Sequence, residues 1–233
     1  MESETIAIIP ARKGSKRVPG KNKLLFNGKS LVQNTIEQAL ESKIFKKIIL
    51  SSDDDEILSQ GKIYDVILLE RKASLSGDDT TLLDVIKDAI SQESIPSQSC
   101  IGLLLVTAPL RVTSDIKNAY DLYKNSSHKD SVVSVCSNIN PIDLSWKMDG
   151  EFLQPAFPDS YKQNIPKHNR ELTFFFNDAC IFDSAKNFLS EGRNLFGERP
   201  IPYNMPQERS LFIDYNFQLE LIRLLTDKNN SKK

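Results

Sequence analysis

Arg12, Lys13, Lys16, Arg17 and Lys21 crowd into one short stretch, ARKGSKRVPGKN, directly after the apolar run TIAIIP. Cations at this density beside Gly14 and Gly20, whose backbone lets a ligand approach closely, suit the holding of a polyphosphate. The competing account is a solvated basic loop. A P-loop is excluded by spacing. GxxxxGK[ST] needs four residues between the glycines and a hydroxyl after the lysine, whereas Gly14 and Gly20 enclose five and Lys21 is followed by Asn22. Gly28-Lys29-Ser30 fails too, because Lys23 stands where the first glycine belongs. The dinucleotide fingerprint GxGxxG has no match.

Such a loop needs a scaffold, and the surrounding pattern supplies one. TIAIIP, KKIILSS, DVILLER, CIGLLLVT and DSVVSVC are near-continuously apolar, as strands buried on both faces of a parallel sheet are. Between them, Val32, Ile36 and Ala39 fall at helical spacing, as do Leu82, Val85/Ile86 and Ala89/Ile90, and then Ile116, Ala119/Tyr120 and Tyr123. Thr113-Ser114-Asp115 offer N-caps for the last of these, Asp53 a cap for a helix beginning at Asp54, and Asp78-Asp79 caps for another. This alternation predicts an α/β fold, a mainly parallel sheet with helices on both faces. The basic loop then lies at the carboxyl end of the first strand, where open α/β sheets bind their ligands. From 138 to 170 the alternation stops in a polar, Pro- and Asn-rich excursion of the kind that forms a lid or an oligomer contact. ELTFFFNDACIF returns as a strand, and Phe217, Leu221 and Leu224 mark a C-terminal helix.

At 233 residues the chain suits one domain, 1–233. A net charge of −1 gives no reason to expect nucleic acid or an anionic membrane as partner, and no stretch reaches the length of a membrane span. The start MESETIAIIP is acidic where a signal peptide is basic, so a cytoplasmic location is expected. Cys100, Cys136 and Cys180, each in or beside an apolar run, read as buried thiols. His128 and His168 stand in polar segments, read as surface residues, and leave no histidine metal site.

Five ordered segments carry a resemblance. IPARKGSKRVPGKN is similar to the N-terminal signature of the CMP-sialic acid synthetases, the acylneuraminate cytidylyltransferases. LSSD at 50–53, Glu70-Arg71 with SLSGDDT at 74–80, LLLVTAPLR at 103–111 and FIDYNFQLEL at 212–221 resemble the family's VSTD, RP…LA.D, LLQPTSPLR and DIDTEFDL. The family's fold is a Rossmann-like nucleotidyltransferase. The resemblance implies transfer of CMP from CTP to a nonulosonic, sialic acid-like 2-keto sugar acid, with Mg²⁺ and release of pyrophosphate. It also implies a homodimer in which 138–170 is the dimerisation or lid excursion.

By match to the motifs, Arg12 and Lys21 would be catalytic and hold the phosphates of CTP, with Ser15 and Lys16 beside them. Asn22 would take the ribose, and Arg71 and Thr80 the cytosine side. Thr107, Lys162, Arg170 and Asn177 would face the sugar acid, and Asp214 would hold Mg²⁺. Three departures stand out. Leu105 replaces the Gln of LLQPTSPLR, and Phe212 replaces the first Asp of DIDTEFDL, leaving Asp214 to anchor the metal alone. YKQNIP…FFFNDACIF stands for QxRQxxP…FRPNGAIYI, with Lys162 and Phe175 where arginines are usual. Lys162, Lys167 or Arg170 must then meet the sugar carboxylate. Another sugar nucleotidyltransferase of the same fold, or a catalytically weakened nucleotide-binding protein, remains open as an alternative. Arg111 is expected near the site or in a surface ion pair, and Trp146 in a small core of the excursion.

Overall fold

The computed structural model describes residues 4–15, 17–77, 79–126 and 130–230, with side chains as far as 225. Expectations that fall on Lys16, Asp78 and His128 lie outside the described residues. In chain order the elements are β1 (Thr5–Pro10), the short ribbon β2 (Leu25–Phe26) and β3 (Lys29–Ser30), α1 (Leu31–Ser42), β4 (Lys47–Ser52) and α2 (Asp55–Gly61). They continue with β5 (Ile67–Glu70), α3 (Leu82–Gln92), β6 (Cys100–Leu103), α4 (Thr113–Asn125) and β7 (Val132–Ser137). Then come β8 (Trp146–Asp149), β9 (Phe152–Pro155), α5 (Pro158–Lys162), β10 (Phe174–Ser184), α6 (Ala185–Leu189), β11 (Ile201–Asn204) and α7 (Asn216–Asn230).

Seven strands form one sheet in the order β11-β7-β10-β6-β1-β4-β5. All run parallel except β10, which is antiparallel to both its neighbours. The physical cause of the two-faced burial is the strand period of two. Ala7 and Ile9 of β1 pack into one core with α1, α2, α4 and α7, while Ile6 and Ile8 point into the other with α3 and α6. The expected helices on both faces follow directly. From β1 the chain winds out to β5 and returns on the other side of β1 at β6. A crevice opens at the carboxyl ends of β1 and β6, where the winding reverses.

Several local expectations are corrected. Asp54, not Asp53, caps α2, its carboxylate accepting the Glu56 N–H at 2.9 Å, while Asp53 accepts the Lys13 N–H at 2.7 Å. Thr81 rather than Asp79 caps α3, in a reciprocal box with Asp84. At α4, Thr113 and Ser114 lie inside the helix, and Asp115 reaches back from the first turn to accept the Val112 N–H at 3.0 Å. Arg111 is fully buried and is not in a surface ion pair. The excursion is an ordered unit rather than a bare loop. Its neck is closed by the Asn138 N–H to the Thr173 carbonyl at 2.8 Å, and it holds the β8–β9 hairpin, α5 and an ion pair of Arg170 with Asp143. Trp146 meets Tyr161 edge-on at 4.8 Å but stays half exposed, so the excursion's core is thin. Cys100, Cys136 and Cys180 are buried free thiols, and burial pushes Cys180 up to about 12.

Candidate active site

The basic loop is built by its shorter residues. Val18 is buried and anchors the loop from below, and its carbonyl accepts the Lys21 N–H at 3.1 Å. Gly20 takes a left-handed backbone at φ 66°, which a residue without Cβ adopts freely, and this turns the chain into a short 3₁₀ turn over Lys21–Lys23. Asn22 is buried beneath, and its amide donates to the Arg12 carbonyl at 2.8 Å, tying the two arms of the loop together. The Asn22 Oδ1 is buried and makes no hydrogen bond. A native fold rarely leaves such an acceptor orphaned without a ligand or water to meet it.

The loop forms one wall of a cavity of about 420 Å³ at the carboxyl edge of the sheet. Arg12, Arg17, Lys21 and Asn22 face Leu105, Val106 and Thr107 at the exit of β6, with Arg71, Gly77, Thr80 and Thr81 on the flank. Asp178 and Asp214 close the remaining side. Arg71 is fixed rather than free, its Nη2 donating to the Ser51 carbonyl at 3.0 Å, and burial depresses the pKa of its guanidinium. Lys21 Nζ bonds the Ile213 carbonyl at 2.9 Å and Asp214 Oδ1 at 3.1 Å, while Arg17 Nη2 reaches Asp214 Oδ2 at 3.0 Å. Two cations thus grip one carboxylate. Arg17 also lies over the Tyr215 ring at 5.1 Å.

Asp178 is the residue that the sequence reading missed. It occupies an irregularity in β10, where pairing with β7 shifts between Phe176 and Ile181, and its φ is 61°. Bulges re-aim side chains next to sites, and this one presents Asp178 to the cavity, where Thr107 Oγ1 donates to it at 2.7 Å. Burial raises the Asp178 carboxyl above its ordinary value; Thr107 opposes this and the charge of Asp214 adds to it. The sequence trace of the bulge is Asn177-Asp178, two polar residues inside an apolar strand. Arg17 was visible only as one charge among several.

Other expected site residues are placed differently. Ser15 turns to the Val18 N–H at 3.4 Å and does not line the cavity. Asn177 is fully buried and bonds Ser210 Oγ at 2.9 Å, so it supports the bulge from behind. Lys162 and Arg170 sit in the excursion and line no part of this cavity in their own chain; Lys167 reaches Asn140 at 2.7 Å. Arg111 ties two walls of the cavity together from inside, donating to the carbonyls of Leu105 and Ala179, and burial lowers it to about 10. Phe212, in place of a carboxylate, packs its ring 6.2 Å from that of Phe175.

Known proteins resemble this chain over nearly its whole length. An N-acylneuraminate cytidylyltransferase of Escherichia coli O18:K1:H7 is 31% identical over 234 residues, covering 100% of this chain and 54% of the relative. The chain therefore spans about half the length of that relative. A pseudaminic acid cytidylyltransferase of Campylobacter jejuni serotype O:2 is 30% identical and matched in length, with 97% of this chain and 98% of the relative covered. The fold is shared with a solved CMP:2-keto-3-deoxy-manno-octonic acid synthetase complexed with CTP, at a TM-score of 0.69, 15% identity, and 97% and 100% coverage of the two chains. The cytidylyltransferase family model matches residues 6–221, nearly the whole sheet together with the cavity at its edge, and the chain belongs to that family.

Proposed function

We propose that the chain, 1–233, acts as a single nucleotidyltransferase domain that transfers CMP from CTP to a nonulosonic, sialic acid-like 2-keto sugar acid. The observation that carries this reading is the cavity at the β1/β6 crevice, cationic on the loop side and carrying the orphaned acceptor of Asn22. Arg12 and Lys21 hold the triphosphate, with loop amides completing the cradle. Asn22 Oδ1 accepts from a ribose hydroxyl, and Arg71 and Thr80 face the cytosine. Arg71 is already bound to Ser51, so it offers its remaining donors in a fixed orientation.

In the reaction the anomeric hydroxyl oxygen of the sugar acid bonds to the α-phosphorus of CTP. The bond from that phosphorus to the bridging oxygen breaks, the electron pair leaves with pyrophosphate, and the hydroxyl proton passes to solvent water. The protein's share is positioning and charge. Thr107 lies at the sugar side of the cavity, and Asn177 acts through the bulge that it supports. Lys162 reaches a site only from a second copy, in which the 138–170 excursion lies across the neighbour's cavity, while Arg170 is held inside that excursion by Asp143 and the Ile165 carbonyl and orders it. The family's use of a divalent ion fits the donors present, since the carboxylate of Asp214 is the hard oxygen ligand that Mg²⁺ takes. Bound there, Mg²⁺ would neutralise phosphate charge as it shifts to the leaving group. Lys21 and Arg17, which hold Asp214, are the groups for which a triphosphate competes, so nucleotide arrival frees that carboxylate.

The test is thermal. CTP is expected to raise the melting temperature more than ATP or GTP at equal concentration, because selective binding stabilises by mass action. Equal protection by ATP would exclude the cytidylyl reading. Pyrophosphate release from CTP with a panel of 2-keto sugar acids then identifies the acceptor and separates a catalyst from a mere nucleotide binder.

A further inference from the structure

We propose that Asp178 is the second carboxylate of the metal–nucleotide site, sharing with Asp214 the oxygen ligands of the divalent ion that accompanies CTP. The inference rests on the reading of the cavity as a CTP site and assigns the bulge of β10 a role in it. Asp178 and Asp214 line the same cavity as Lys21 and Arg17, both of which hold Asp214. Thr107 fixes one oxygen of Asp178 at 2.7 Å, which aims the carboxylate and leaves the other oxygen for a ligand. The backbone at φ 61° is one that residues with a Cβ seldom adopt. A glycine would sit there without strain, yet an acid does.

Charge makes the argument stronger. A triphosphate entering the cavity draws Lys21 and Arg17 towards itself, and two carboxylates then face a polyanion within one cavity. Like charges repel strongly in a partly buried site. A divalent cation between them reconciles all three, and one or two carboxylates plus phosphate oxygens is the set that Mg²⁺ ordinarily takes. Phe212 has no side-chain oxygen to offer, and its ring lies 6.2 Å from that of Phe175. Independently of the acids, Asn22 points to a ligand in this cavity, being only 7% exposed with an acceptor atom that nothing in the protein meets.

Mn²⁺ is the probe, read by electron paramagnetic resonance on the whole chain with CTP present and no acceptor sugar. The parent is expected to retain Mn²⁺ far better with CTP than without it. Asp178→Asn, which keeps the shape and can still accept from Thr107, is expected to weaken Mn²⁺ retention tenfold or more. CTP binding in the presence of a chelator should stay equal or tighten, since one negative charge is gone. Asp178→Gly suits the left-handed backbone and repeats the test should the Asn variant fold poorly. Parental Mn²⁺ affinity in both variants, with CTP binding intact, overturns this inference alone. Failure of the parent to bind CTP at all overturns the nucleotide reading and this inference with it.

Discussion

Lys21 joins the opening loop to the far end of the chain, because its ammonium meets the Ile213 carbonyl and the Asp214 carboxylate at once. Arg12 lines the same cavity from an exposed position. Loss of one charge-assisted bond to a phosphate is expected to reduce catalytic efficiency about tenfold to a hundredfold, in Arg12→Ala and in Lys21→Ala alike. Melting temperature should change little in Arg12→Ala, whose side chain is exposed, whereas Lys21→Ala also leaves the Ile213 carbonyl and the Asp214 carboxylate without this donor and should melt lower. Steady-state kinetics beside a thermal melt on each variant checks both halves, and parental turnover in both would reduce the loop to solvated surface. At this scale the sequence was informative at Arg12, Lys21, Arg71 and Thr80, which line the cavity, but not at Ser15, which turns to the Val18 N–H. It was uninformative at Asp178, whose position depends on a one-strand irregularity, and at Arg111, whose burial no local pattern signals.

Six of the seven strands of the sheet and the longer helices were legible because burial on a two- or 3.6-residue period leaves a trace in the sequence, whereas β11, half exposed at the sheet edge and carrying Pro202, leaves none. The short helices were not legible either. α2 has seven residues and depends on its cap, Asp54, which is held by the Glu56 N–H at 2.9 Å and by Lys23 at 3.3 Å. Burial pushes the Asp54 carboxyl up, but these bonds outweigh it, and the group lies below the ordinary carboxylate value of 3.8. A depressed carboxyl contributes stability that is present above its unfolded pKa and lost as the pH falls through the folded one. Asp54→Ala is therefore expected to cost about 1 kcal/mol at pH 7. The gap from the parent should narrow once the pH drops below 3.8. Urea unfolding of both proteins at pH 7 and near pH 3 measures it, and a gap that widens in acid would contradict the assignment. Lys23 follows directly on the basic loop, so α2 and the loop are braced against each other.

At the scale of the whole molecule, the excursion presents apolar surface to solvent. Met148, Phe152 and Leu153 on its hairpin are exposed by 73%, 75% and 58%, and Leu172 at its end by 63%. A second copy covering them would bury this surface and bring Lys162 to a neighbour's cavity. A dimer is expected in solution scattering. Phe152→Asp with Leu153→Asp should yield monomers that bind CTP and transfer CMP slowly, whereas a fully active monomer would exclude a shared site. The sequence by itself determined the alternating α/β order, the buried thiols and the place of a basic loop at a strand end, because periodicity and composition are local properties that folding preserves. Only the tertiary structure decided which carboxylates share the cavity, that Arg111 joins two of its walls from within, and that Lys162, Arg170 and Asn177 do not line it. Those facts depend on the antiparallel entry of β10 between β6 and β7 and on the bulge that follows, a pairing of residues far apart in the chain that no local pattern encodes.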